Sequence, residues 1–144
     1  MEKWKDVLVS VSSQEGDDDP PMRMLLPGRL SYQGTHCLLQ YKERIDEEGT
    51  EETEVKMHLS PKQVMMMRSG NYGTSMVFSK GKRFESQYHT PYGDFPFSVY
   101  TTRLEAELSE EQGLAKMDYQ MDMGNNSLTR RTMMVGYMLQ NASS

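Results

Sequence analysis

The apolar residues of this chain recur at every second position over almost its whole length. Val7, Val9 and Val11 alternate with Asp6, Ser10 and Ser12, and Cys37, Leu39 and Tyr41 with His36, Gln40 and Lys42. Val55, Met57 and Leu59 alternate with Glu54, Lys56 and His58, and Ala115, Met117, Tyr119, Met121 and Met123 with Lys116, Asp118, Gln120 and Asp122. Successive side chains of a strand point to opposite faces, so each segment has one buried face and one wet face. Strands of a parallel sheet are covered on both faces and read instead as unbroken apolar runs. The pattern therefore predicts an all-β, antiparallel protein. No stretch of helical period reaches the ten or so residues of an ordinary helix. The nearest, Pro61 to Arg68, reads better as a strand through Val64 to Met67.

Turn-forming residues separate the segments. Thr90-Pro91-Tyr92-Gly93-Asp94 supplies a fixed φ and then a glycine, and Ser109-Glu110-Glu111-Gln112-Gly113 reads as a type I turn closed by a glycine bulge. Gly70-Asn71-Tyr72-Gly73 and Gly124-Asn125-Asn126 read as tight turns, and Gln14 to Pro21 and Asp46 to Glu52 as longer acidic loops. The result is a meander of about nine strands, over 5–13, 22–33 (broken at Pro27-Gly28), 36–44, 53–59, 62–68, 75–80, 82–90, 94–108 and 113–123. A last strand, whole or split, follows over 127–139.

One segment discriminates between architectures. Phe95, Phe97 and Val99 hold one parity, whereas Leu104, Ala106 and Leu108 hold the other. A one-residue slip reverses every side chain, so burying both sets requires a bulge near Thr101-Thr102. A straight strand of that length would reach roughly 50 Å, far beyond the usual size. A bent strand serving two sides of one core belongs to a closed or nearly closed barrel of about eight to ten strands, not to a sandwich.

Composition narrows the classes of function. The chain of 144 residues and 16.6 kDa fits a single domain, 1–144. Sixteen Lys and Arg against 21 Asp and Glu give a net charge of −5. That balance argues against nucleic acid or an anionic membrane as partner, since both call for a basic field. No apolar run approaches the roughly 18 residues that span a bilayer. Met1-Glu2-Lys3-Trp4-Lys5-Asp6 lacks the apolar stretch of a secretory signal. Cys37 stands alone, which excludes an internal disulfide and makes a reducing cytoplasm the expected location.

The order Met67-Arg68-Ser69-Gly70, Arg83-Phe84, Tyr92-Gly93, Glu110-Glu111-Gln112-Gly113 and Asp118-Tyr119 resembles the YwiB-like family. The resemblance runs from about Val7 to Leu139 and is clearest after Val64. It implies a small cytoplasmic bacterial protein, a domain of unknown function with a calycin-like, lipocalin-type barrel. It transfers no catalytic residues.

The candidate chemistry is sparse. Fourteen methionines, including Met65-Met66-Met67 and the pairs Met22/Met24, Met121/Met123 and Met133-Met134, invite a copper(I) reading. Thioethers are more often fillers of irregular cores, and no Cys or His cluster accompanies these. His36, His58 and His89 share no zinc spacing, and Asp17-Asp18-Asp19 lacks the glycine and glutamate of a calcium loop. No metal and no cofactor is expected. Ser69-Gly70 is not a nucleophile elbow, and Cys37 shares its face with Leu39 and Tyr41, as a buried inert thiol does. Lys80/Lys82/Arg83 and Arg130/Arg131 read as charge-balanced surface.

Polar side chains on apolar parities remain. Arg68 falls in line with Val64 and Met66, Arg131 with Met133, Val135 and Tyr137, Tyr88 with Phe84, and Tyr119 with Met117 and Met121. Arg103 stands where the bulge re-aims its strand. A buried guanidinium must be paired, and a bound carboxylate or phosphate is one way to pair it. The bland alternative sets these arginines at the barrel rim with only their stems buried. The leading expectation is a non-enzymatic barrel that binds a small amphipathic or anionic ligand through Arg68, Arg103 or Arg131, assisted by Tyr88 or Tyr119. Two alternatives stay open. One is a filled barrel acting as a protein-interaction or homodimerisation module. The other is a metal-independent enzyme using lumenal Arg and Tyr groups.

Overall fold

Ten strands follow the alternating segments. They are β1 (Lys5–Glu15), β2 (Met22–Tyr32), β3 (Cys37–Arg44), β4 (Glu52–Leu59), β5 (Val64–Arg68), β6 (Thr74–Phe78), β7 (Arg83–Thr90), β8 (Gly93–Leu108), β9 (Gln112–Asp122) and β10 (Leu128–Leu139). The computed structural model describes residues 3–16, 20–44, 52–70, 73–124 and 128–140, and no helix occurs among them. The Asp17–Asp19 run and the turn tips expected at Asn71-Tyr72 and Asn125-Asn126 lie outside the described residues, as does most of the acidic loop expected at 46–52.

Every ladder is antiparallel, in the order β6-β5-β4-β3-β2-β1-β10-β9-β8-β7. The outermost strands, β6 and β7, are chain neighbours and curl toward each other. The His89 amide donates to the Gly73 carbonyl at 2.8 Å, Ser86 Oγ to the Ser75 carbonyl at 2.5 Å, and Thr74 Oγ1 to the Gln87 carbonyl at 3.2 Å. No regular ladder joins the two strands, so the barrel is nearly closed, with a seam sewn largely by side chains.

The bulge lies where parity demands it. Thr101 pairs with Tyr119 and Arg103 with Asp118, which leaves Thr102 as the extra residue. Phe97, Val99 and Thr101 face inward before it, and Leu104, Ala106 and Leu108 after it. Phe95 departs from the expected set, at 48% exposed, because the β8–β9 ladder begins only at Ser98.

Two local expectations are corrected. β2 runs unbroken through Pro27-Gly28. The β2–β3 ladder starts at Gly28↔Tyr41, so the proline sits where one side of the strand is free, as its missing N–H requires. Gly113 closes no bulge, since it pairs regularly with Leu108 and Tyr137 and its φ is not positive. A Cβ there would stand 2.4 Å from the Tyr137 ring, so this glycine makes room for an aromatic side chain.

The inward side chains form one contiguous core. Val7, Val9, Cys37, Leu39, Leu59, Val64, Phe78, Ala115 and Val135 are 0% exposed. Val11, Glu43, Thr74, Phe97, Met121 and Met133 are 5–9% exposed, and Tyr32, Leu104, Ala106, Leu108 and Leu139 are half-buried against the core. Met57, Met66 and Met76 lie abreast on β4, β5 and β6 at 4% exposed or less, which makes them core filler.

Candidate functional site

Several polar side chains stand on apolar parities. Arg68, the last residue of β5, continues the inward row of Val64 and Met66, and its Nε donates to Glu43 Oε1 at 3.0 Å. Glu43 continues the inward row of Cys37, Leu39 and Tyr41, and its side chain is only 10% exposed. Arg131 of β10 lies beside Tyr119 in the register and holds Glu15 loosely, Nη2 to Oε2 at 3.7 Å. Its Nε is buried without a hydrogen-bond partner among the described residues. Thr53 Oγ1, across the ladder from Glu43, is likewise buried and unpartnered there.

Tyr119 joins the two arginines. Its ring packs edge-to-face on Phe78, with centroids 4.9 Å apart. Burial pushes its phenol up, while the charges of Arg131 and Arg68 both pull against that rise. One phenol thus feels both guanidinium groups. At neutral pH it keeps its proton, and its oxygen accepts from Arg131. Burial, together with the Glu43 carboxylate, pushes the neighbouring Tyr41 phenol up as well. Tyr88 faces inward from β7, half-buried against the core.

Arg103 does not join this group. The bulge at Thr102 turns it to the outer face, where Nε and Nη2 both donate to Glu105 Oε1 at 3.0 and 2.8 Å. The parity of Leu104 and Ala106 carries this outcome, since the residue before an inward side chain points outward. Glu43 was missed by the sequence reading, although it gives the same signal as Arg68: a charge in line with a buried apolar row.

Apolar walls continue the site. Met24 and Leu26 on β2 are half-buried against the core. The β2–β3 ladder ends at Gly28↔Tyr41. Gly28 permits a close approach there, for a Cβ would stand 2.6 Å from Val9 Cγ2 and 2.7 Å from the Gln40 carbonyl. The inward rows therefore carry two guanidinium groups and a phenol, beside the half-buried Met24 and Leu26.

Other candidates are dispersed. Cys37 is buried, 3.8 Å from Tyr137 Oη, and burial pushes its thiol up to about 11. His36 and His58 meet edge-to-face with centroids 5.0 Å apart, a cross-strand contact the sequence reading did not foresee. Among the described residues no three His, Cys, Asp or Glu side chains cluster to hold a metal ion. No helix among them is long and apolar enough to cross a membrane.

The profile of a family described as a domain of unknown function (DUF1934) matches residues 7–135. The crystal structure of the ywiB protein from Bacillus subtilis superposes with a TM-score of 0.84 at 21% identity, covering 97% of this chain and 96% of that one. At that identity the likeness establishes the fold alone, a nearly closed, calycin-like barrel. No curated protein matches the chain.

Proposed function

The chain belongs to the DUF1934 family, and from that premise we propose that its barrel binds a small amphipathic molecule with a carboxylate or phosphate head. The observation that carries this reading is a set of polar side chains on inward rows: Arg68 in line with Val64 and Met66, and Arg131 beside Tyr119, whose phenol feels both guanidinium charges. The head is held between the two guanidinium groups, whose planar forks match a carboxylate or phosphate. Tyr119 donates to it, and the apolar tail lies along Met24 and Leu26. A bacterial cytoplasm suits the lone thiol of Cys37.

The test compares dodecanoate, dodecyl phosphate and dodecanol by isothermal titration, alongside native mass spectrometry of the protein as purified. The anionic pair is expected to bind at least about tenfold more tightly than the alcohol. Arg68→Lys and Arg131→Lys should each weaken the anions by a similar factor, because lysine cannot reproduce the fork. Arg103→Lys, on the outer face, should bind as wild type does. Equal affinity for the alcohol, or indifference to both inward arginine changes, would refute the reading.

A further inference from the structure

The outer wall of β1, β2, β9 and β10 carries an apolar face. Leu8, Leu25, Leu114 and Met138 are 39%, 69%, 46% and 58% exposed, although each could have been polar at no cost to the core. The registers set them around Gly136, which stands between Ser10 of β1 and Leu114 of β9. The face is dished, with a hollow of about 520 Å³ bordered by Leu8, Ser10, Leu25, Leu114 and Met138. Its two flanks carry opposite charges. Arg23 projects outward from β2 and Glu107 from β8, and neither meets an opposite charge among the described residues.

We propose that a second copy of this chain covers this face, related by a two-fold axis parallel to β10. Such an axis reverses the strand order, so β2 of one copy lies over β8 of the other and β9 over β1. Leu114 of each copy then seats in the opposing hollow, above the partner's Ser10 and Gly136. The Met138 side chains meet near the axis. Arg23 falls within one row of side chains of the partner's Glu107, so both ends of the contact gain an opposite-charge pair. A contact of this kind is self-complementary, as a two-fold interface requires.

Area sets the strength. Five strands about 4.8 Å apart, carrying three outward rows about 6.8 Å apart, give a face of about 500 Å² per copy. The pair then buries about 1,000 Å², the lower limit for a specific interface. The dimer is therefore weak and concentration-dependent, and salt loosens it.

Sedimentation velocity over micromolar to near-millimolar concentration tests this, with circular dichroism checking each variant for folding. Wild type should pass from monomer to dimer across that range, and Leu114→Glu should weaken association at least about tenfold. Arg23→Glu and Glu107→Arg, each alone, should stay monomeric because like charges then face each other twice. Mixed together they should associate again, since both contacts in the mixed pair become opposite in sign. A wild type that remains monomeric, or a dimer indifferent to Leu114→Glu, overturns the proposal. A mixture of the two charge variants that fails to associate overturns the two-fold arrangement.

Discussion

Replacing Gly113 with alanine tests whether this strand glycine exists for the sake of Tyr137. The new Cβ would lie 2.4 Å from Cε2 and Cζ of that ring and 2.5 Å from its hydroxyl. Ordinary carbon contacts are about 3.5–4.0 Å, so the ring must withdraw by more than 1 Å or the strands must part. Withdrawal is blocked on the inner side by Cys37, which is 0% exposed. It also breaks the bond from Tyr137 Oη to the Ser109 carbonyl, 2.6 Å long, at the β8–β9 turn. Overpacking costs about 1–3 kcal/mol and the lost hydrogen bond about 1 kcal/mol. Alanine returns about 0.5–1 kcal/mol through its smaller loss of backbone entropy. The φ of Gly113 is not positive, so no backbone strain enters. The net loss is about 1–3.5 kcal/mol, a large fraction of the 5–15 kcal/mol typical of a domain. Urea unfolding followed by circular dichroism should show a midpoint lower by about 1–2 M with an unchanged slope. In a Tyr137→Leu background the obstructing ring atoms are gone, and the same glycine change should then be close to neutral. The reasoning fails if Gly113→Ala lies within about 0.5 kcal/mol of wild type, or costs the same in both backgrounds.

Burial pushes up the Cys37 thiol, to about 11, and the phenols of Tyr41, Tyr119 and Tyr137. Each is neutral when protonated, and the native state holds its proton more tightly than the unfolded state does. The stability that Cys37 contributes is therefore complete below its ordinary 9.0 and lost as pH rises through about 11. Thermal melts across that range should show a falling midpoint, and tyrosinate absorbance should show a late phase that coincides with unfolding. Cys37 should react slowly with a thiol reagent in the native protein and rapidly in denaturant, and equal rates would place the thiol outside the core. Deleting Thr102 should abolish the cooperative transition, because it turns Leu104, Ala106 and Leu108 outward against β9 or forces the ladder to slip. Thr102→Ala loses only an exposed bond to the Asp118 carbonyl and should fold with a loss of about 1 kcal/mol or less.

The strands were legible because one wet face and one dry face leave a period in the sequence, and the parity switch between Val99 and Leu104 located the bulge. Arg68, Arg131 and Tyr119 were found by the same signal, a polar residue on a dry parity. What the sequence left out depends on how the sheet closes. Nothing local to Thr74–Phe78 or Arg83–Thr90 says that these neighbours form the seam rather than a hairpin, because both segments alternate like the rest. Gly113 was misread because a glycine after Glu-Glu-Gln looks like turn chemistry, while its reason, the Tyr137 ring, lies on another strand. Pro27 was misread because the free side of β2 exists only where β3 has diverged.

The position of the seam bears on how the chain folds as it is made. β1 pairs with β2 on one side and with β10 on the other, from Val7↔Leu139 to Glu15↔Arg131. During synthesis β1 through β6 can form a six-stranded curl, each strand beside its chain neighbour, while β10 is still inside the ribosome. Until β10 emerges, β1 is an open edge bearing Val7, Val9 and Val11, the kind of edge that recruits foreign strands. The β1–β10 ladder closes nearly the whole chain into one loop, so it forms late and slowly. The nascent chain therefore has its most exposed interval just before β10 emerges, when a chaperone that shields strand edges gives the greatest gain in yield.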